Sequence, residues 1–153
     1  MGHELRPATP ADATAIRDVT RAAYARWVPV IGREPVPMTI DYEQAVRQHD
    51  FDLLYRHGEL VGLIETMLQD DHIWIENVAV LPACQGQGLG RILLAHAETR
   101  ALDAGRSEAR LLTNAAFEAN IALYKNVGYR IDRTEPYKDG GTTAYMSKRL
   151  ARA

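Results

Sequence analysis

Three glycines stand at every second position between a β-branched run and an apolar helical pattern: Gly86, Gly88 and Gly90. The N-terminus of a helix leaves backbone N–H groups without intrahelical partners, and the helix dipole favours negative charge there. Glycine lets the backbone approach an anion closely and adopt a positive φ. The stretch therefore predicts a phosphate-binding turn, to which Arg91 would add a positive charge.

Two other glycine motifs do not fit this stretch. A dinucleotide-binding turn has the spacing G-x-G-x-x-G, whereas this chain has G-x-G-x-G. A P-loop ends in Lys followed by Ser or Thr, but Arg91 and Ile92 stand at those positions. A tight turn that binds nothing is the remaining alternative to a phosphate site.

A second pattern lies farther along, in the segment from Asn120 to Tyr129. It resembles the helix motif L-Y-x-x-x-G-[FY] of the GNAT superfamily of N-acetyltransferases. Gln85, Gly88 and Gly90 match the acetyl-CoA motif of the same family, [RQ]-x-x-G-x-[GA]. Because both motifs occur in the family's order with a strand between them, the chain is identified as a member of this superfamily.

The resemblance implies an enzyme that moves an acetyl group from acetyl-CoA to a primary amine of a small molecule or peptide, by direct attack on the thioester. A non-catalytic, regulatory acyl-CoA-binding module of the same fold is the alternative. The family's usual asparagine falls at Phe117, so Asn120 is expected to replace it, and Asn114 is a weaker candidate. The residues implied to bind acetyl-CoA are Val78, Ala79, Val80, Gln85, Gly86, Gln87, Gly88, Leu89, Gly90, Arg91 and Asn120.

Amine acetylation needs a base for the amine, a donor for the developing oxyanion and an acid for the departing thiolate. The resemblance implies that Tyr124 is the acid, although it could also pack on CoA without chemistry, and that the backbone N–H of Val80 is the oxyanion donor. We expect Glu76 to be the base, with burial raising its pKa, and Glu65 on the neighbouring strand is the second choice.

The first helix and the loop after it are expected to select the acceptor. This region resembles segments of bacterial GNAT proteins and carries aromatic side chains together with charges of both signs, so its polarity does not decide the acceptor. A rigid Pro-rich lid that only packs on the core is the alternative. The candidate substrate-binding residues are Tyr24, Trp27, Arg33 and Glu34.

The order of the elements that must position these residues predicts an α/β fold. With the family resemblance, we expect one N-acetyltransferase domain over residues 1–153. We expect a mixed central sheet of about seven strands flanked by about four helices, because consecutive hairpins occupy the middle of the chain. The apolar alternation slips at Glu76 and Asn77, which predicts a bulge or a splay. Residues 28–38 hold three prolines and a glycine and are expected to form a loop.

Composition sets the remaining expectations. The chain of 153 residues has a formal charge of −2, so nothing draws it to nucleic acid or to an anionic membrane. No apolar run reaches the length of a membrane span. Cys84 is the single cysteine and the five histidines lack metal-ligand spacing, so we expect a metal-free, cytoplasmic protein. Homodimerisation is common in the family and rests here on that analogy alone.

Overall fold

The structure is a computed structural model that describes residues 2–138 and 140–152. Its strands are β1 (His3–Pro7), β2 (Asp50–Arg56), β3 (Glu59–Leu68), β4 (Ile73–Val80), β5 (Glu108–Asn114), β6 (Arg130–Pro136) and β7 (Thr142–Arg149). Its α-helices are α1 (Ala13–Tyr24), the single turn α2 (Val28–Ile31), α3 (Tyr42–Gln48), α4 (Leu89–Asp103) and α5 (Glu118–Asn126).

The seven strands form one mixed sheet in the order β1-β2-β3-β4-β5-β7-β6. Neighbouring strands are antiparallel except for β4 and β5, which run parallel because α4 crosses over between them. The α/β class and the mixed seven-stranded sheet predicted from the sequence are confirmed.

Each face of the sheet carries its own apolar core. On one face, Ile16 and Val19 of α1 pack with Leu53 and Leu63 of the sheet. On the other face, α4 and α5 pack against the apolar side chains of β3, β4 and β5. The apolar face of the first helix is buried, from Ala13 at its start to Trp27 just after its end.

A bulge interrupts the pairing of β3 with β4 where the sequence predicted it. Glu65 pairs with Asn77 and Thr66 pairs with Ile75, so Glu76 has no partner residue on β3. A bulge bends its strand and redirects a side chain.

The parallel pair β4 and β5 separates soon after it forms. Pairing starts at Ile73 with Ala109 and stops at Ile75 with Leu111, although β4 continues to Val80. The carboxyl-terminal half of β4 therefore faces a gap in the sheet, which the family resemblance implied.

Residues 28–38 are more regular than the expected loop. Pro29 lies in the first turn of α2, where a missing N–H costs nothing, and Gly32 ends this turn with a φ of 74°. A 3-10 turn, Val36–Thr39, follows and buries Met38. Proline therefore starts short helical turns here. The Val36–Thr39 turn packs against α1, and this packing stabilises a turn that would not be stable by its local helix propensity alone.

Candidate functional site

A cavity of about 510 Å³ opens where β4 and β5 separate, and we call it the loop cavity. Its walls come from β4, from the glycine-rich turn, from the end of α1 and from α5. Residues that define these walls are Tyr24, Val78, Val80, Gly88, Asn120 and Tyr124. Residues far apart in sequence thus meet at the gap in the sheet.

The glycine-rich turn presents the N-terminus of α4 to this cavity. Gly86 and Gly88 have φ values of 78° and 80°, which glycine adopts without steric cost. Gly88 is the N-cap, and its carbonyl accepts the N–H of Ile92 at 3.3 Å. The N–H groups of residues 89–91 precede the first helical bond, so they are available to an anion.

Gly90 allows α4 and α5 to approach closely beside the cavity. A Cβ atom at this position would lie 2.8 Å from Cδ2 of Leu123, and no positive φ is involved. A larger residue at position 90 would make Leu123 shift, so the constraint there is space, whereas at Gly86 and Gly88 it is backbone conformation.

Gln85 links the turn to β4 and to a cation that sequence reasoning missed. Its Nε2 donates to the carbonyl of Val80 at 3.0 Å, and its Oε1 accepts from Nη1 of Arg26 at 3.0 Å. Arg26 also lies over the ring of Trp27, 4.4 Å from its centroid, and lines the loop cavity with Arg91. The sequence signal that could have identified Arg26 was a positive charge directly after the buried face of α1.

The backbone of β4 offers alternate residues to the gap. The N–H of Leu81 donates to the carbonyl of Val61. The backbone N–H and C=O groups of residues 79 and 81 therefore point towards β3. Residues 78 and 80 then face the gap by the alternation of a strand. Val78 and Val80 line the loop cavity, whereas Ala79 is 1% exposed and packs in the core.

Other residues in the predicted CoA set divide in the same way. Leu89, Gly90 and Arg91 line the loop cavity. Gln87 does not line it; its side-chain oxygen instead accepts a hydrogen bond from Arg56.

Helix α5 directs Asn120 and Tyr124, one turn apart, to the loop cavity. Tyr124 is buried, and burial raises its pKa to about 12, so the phenol keeps its proton at neutral pH. Phe117 stacks on Trp27 with ring centroids 4.8 Å apart and thus fills the core. Asn114 caps a turn by accepting the N–H of Ala116 at 2.9 Å, outside the loop cavity.

A second cavity of about 330 Å³, the splay cavity, lies between the Pro-rich segment, the first half of β4 and the end of β5. Tyr24 lines both cavities, and its hydroxyl donates to the carbonyl of Val78 at 3.4 Å. Arg33 lines the splay cavity and lies 4.8 Å from the ring centroid of Tyr137. Trp27 lines only the loop cavity, and Glu34 is exposed and lines neither.

Glu76 lines the splay cavity but is not the buried carboxylate that we expected. Its side chain is exposed and accepts a hydrogen bond from Nε1 of Trp74 at 2.7 Å, because the bulge turns it out of the ladder. The buried carboxylate is Glu65, whose Oε2 lies 2.6 Å from Nδ1 of His49. Burial raises the pKa of Glu65, and the hydrogen bond from His49 opposes part of that rise.

A third cavity of about 280 Å³ adjoins the second, and we call it the acidic chamber. Its polar wall is formed by Asp41, Gln44, Gln48, His49, Glu65, Glu76 and Asn77, and Tyr42 lines it as well. Glu76 therefore lines the acidic chamber as well as the splay cavity.

Within residues 2–138 and 140–152, no three His, Cys, Asp or Glu side chains are grouped to hold a metal ion. Over the same residues, no helix has both the length and the apolar character for crossing a membrane.

Comparison with known proteins agrees with this geometry. Residues 16–129 match the model of the acetyltransferase (GNAT) family, which covers both the glycine-rich turn and Tyr124. Among curated proteins, an aminoalkylphosphonate N-acetyltransferase from Salmonella typhimurium is 36% identical over 87 residues, which are 52% of this chain and 56% of that protein. The matched part thus spans just over half the length of that relative.

Solved structures share the fold over almost the whole chain. PaiA N-acetyltransferase from Thermoplasma acidophilum, in complex with coenzyme A, aligns with a TM-score of 0.85 at 18% identity, covering 98% of this chain and 100% of that one. The ribosomal-protein-S18-alanine N-acetyltransferase of Escherichia coli aligns with a TM-score of 0.78 at 23% identity, covering 99% and 96%. At these identities the likeness shows the fold alone.

Proposed function

The chain belongs to the acetyltransferase (GNAT) family, and we propose that it transfers an acetyl group from acetyl-CoA to a primary amine of a small molecule or peptide. One observation carries the proposal. The loop cavity joins the free N–H groups of the α4 N-terminus to Tyr124 through the gap beside β4. An anion-binding turn and a protonated phenol that line one cleft suit a phosphate-bearing thioester.

The chain's own groups divide the binding of the cofactor. The N–H groups of residues 89–91, with Arg26 and Arg91, would hold the phosphates of CoA. Backbone groups of Val78 and Val80 would pair with the amides of the pantetheine arm, much as a strand pairs with its neighbour. Asn120 lies one turn before Tyr124 on the same wall and would contact the same arm.

The proposed chemistry is a direct transfer from sulfur to nitrogen. The amine nitrogen forms a bond to the thioester carbon and the carbon–sulfur bond breaks. Glu76 accepts the proton that the amine loses, either directly or through water, and Tyr124 gives a proton to the departing thiolate. The N–H of Val80 would stabilise the oxyanion, because it faces the gap.

The identity of the acceptor depends on which wall beside Glu76 it uses. The Salmonella relative is named for aminoalkylphosphonates, and Arg33 in the splay cavity is a cation that could pair with such an anion. The carboxylates of the acidic chamber would instead favour a cation. The first acceptor screen should therefore contain four kinds of amine. One kind carries a phosphonate, one a carboxylate, one a second amine, and one no other charged group.

Thermal unfolding with and without saturating acetyl-CoA tests the cofactor, with ATP and NADH as controls. Ligand at about a hundred times its Kd stabilises the folded state by about 2.7 kcal/mol. For a domain of this size we expect the melting temperature to rise by roughly 5 °C or more. Absence of a shift with acetyl-CoA, succinyl-CoA and CoA would contradict the proposal.

Release of free thiol in the presence of the amine panel then tests turnover. Thiol release that requires an amine would support an acetyltransferase. Binding of acetyl-CoA without thiol release by any amine or peptide would favour the regulatory module of the same fold.

A further inference from the structure

On the premise that Glu76 marks the point of acetyl transfer, we infer that the acidic chamber binds a second ammonium group of the acceptor, so that the preferred substrate is a diamine. The acidic chamber lies away from the glycine-rich turn. Three features favour this role: the charges of the chamber, an unpaired polar atom in its wall, and Glu76, which lines both the chamber and the splay cavity.

The charges of the chamber favour a cation. Asp41, Glu65 and Glu76 contribute carboxylates, and no Lys or Arg is among the described residues that line it. His49 is the remaining titratable side chain of the polar wall, and its Nδ1 is already paired with Glu65. Tyr42 also lines the chamber, but its hydroxyl donates to the carbonyl of Pro37 at 2.7 Å.

An unpaired acceptor in the same wall points to a missing donor. Asn77 is 3% exposed and lines the chamber, and its Nδ2 donates to Oγ1 of Thr20 at 3.3 Å. Its Oδ1 receives no hydrogen bond from the described residues. Buried polar atoms are almost always paired, so an atom of this kind marks a place for a ligand or water. An ammonium group carries three donors and no acceptor, which matches this wall.

The remaining wall fits the carbon chain of a diamine better than a bare ion. Val36, Pro37 and Ile40 line the chamber, and Val36 and Ile40 are large apolar side chains that the fold leaves exposed. The carboxylates are not gathered as metal ligands within the described residues. An apolar wall beside carboxylates suits methylene groups that end in an ammonium.

Glu76 connects the chamber to the place of reaction. It lines the splay cavity and the acidic chamber, and Tyr24 is a wall that the splay cavity shares with the loop cavity. The bulge is the cause, because it places Glu76 and Asn77 next to each other on the chamber wall. One ammonium of a diamine would lose its proton at Glu76, while the other remains charged beside Glu65 and Asp41.

Binding of 1,4-diaminobutane and of 1-aminobutane to the CoA-saturated protein tests the inference by calorimetry. The two compounds differ only in the second amine. We expect the diamine to bind at least about tenfold more tightly, as a charged hydrogen bond in a partly buried site predicts. Equal affinities would overturn the inference.

Two charge-neutral variants test the site itself. Asp41→Asn keeps a side chain that can cap α3, and Glu65→Gln keeps the size of the buried group. Each should lower the diamine-to-monoamine affinity ratio towards one. The control, Glu43→Gln, removes an exposed charge from the same helix outside the chamber and should leave the ratio unchanged. A ratio unaffected in both test variants would overturn the inference.

Turnover separates this inference from the proposed function. If the diamine binds preferentially and is acetylated faster than 1-aminobutane, both proposals are supported. Preferential binding without acetylation would keep the chamber and remove the proposed reaction. Acetylation of both amines at equal kcat/KM, with equal affinities, would keep the reaction and remove the chamber.

Discussion

The imidazole of His49 covers the buried carboxylate of Glu65, with Nδ1 and Oε2 only 2.6 Å apart. The two residues are contributed by the end of α3 and by the centre of β3. Glu65 is 3% exposed, so the pair stands at the inner wall of the acidic chamber. A carboxylate in this setting should affect stability as well as binding.

The free energy of unfolding should fall as the pH rises, because of Glu65. Since burial raises its pKa above the usual 4.5, the folded protein binds this proton more tightly than the unfolded chain. Its contribution to the free energy of unfolding is full below about pH 4 and is lost as the pH rises through the raised pKa. Relative to Glu65→Gln, the wild type should therefore lose stability as the pH rises from about 4 through the raised pKa of Glu65.

Urea denaturation of both proteins across that range measures the difference. Glu43→Gln is the control, because Glu43 is exposed and its replacement should give a curve parallel to that of the wild type. Parallel curves for Glu65→Gln would show that Glu65 titrates alike in the folded and unfolded states.

Tyr124→Phe should lower kcat by roughly 100-fold or more, the range typical of a general acid, and should leave acetyl-CoA binding intact. Burial raises the pKa of Tyr124 to about 12, so the wild-type phenol retains its proton throughout the neutral range. Tyr129→Phe is a matched control: it removes another buried hydroxyl, which donates to Glu98 at 3.1 Å outside the loop cavity. An unchanged kcat in Tyr124→Phe would leave that tyrosine only a packing role.

Glu76→Gln should reduce kcat/KM near neutral pH without changing acetyl-CoA affinity, because Glu76 lies outside the loop cavity. A fall of roughly 100-fold is typical when a general base is removed. Glu59→Gln, at the exposed first residue of β3, provides the control. If the rate survives in Glu76→Gln and falls in Glu65→Gln, the buried carboxylate is the base.

Gly88→Ala should destabilise the fold by about 1–2 kcal/mol, because alanine is strained at a φ of 80°. It should also weaken acetyl-CoA binding, since Gly88 sets the first turn of α4. Gly105→Ala is the control: Gly105 follows the other end of α4 with a φ of 79° and equally open surroundings. It should cost similar stability and leave affinity unchanged. Equal affinity in both variants would separate the turn from cofactor binding.

Arg26→Met should lower the affinity for acetyl-CoA by roughly tenfold through a lost charged contact with phosphate. Affinity for acetyl-pantetheine, which lacks phosphates, should not change. Arg47→Met removes an exposed charge from α3 and should affect neither ligand. An equal loss for both ligands in Arg26→Met would mean that Arg26 acts by packing on Trp27.

The sequence alone determined the class of fold and the position of the glycine-rich turn. Gly86 and Gly88 adopt positive φ, and Gly88 caps α4, because these requirements are local and glycine meets them. The slip at Glu76 and Asn77 likewise predicted the bulge, since a bulge breaks the two-residue period of its own strand.

Tertiary structure decided which carboxylate is buried and which cation faces the loop cavity. Glu76 and Glu65 look alike in sequence, but the bulge exposes the first and the β3 register buries the second behind His49. Arg26 reaches the glycine-rich turn through Gln85, fifty-nine residues away in the chain. Burial and long-range pairing depend on which elements pack together, and a one-dimensional pattern does not contain that information.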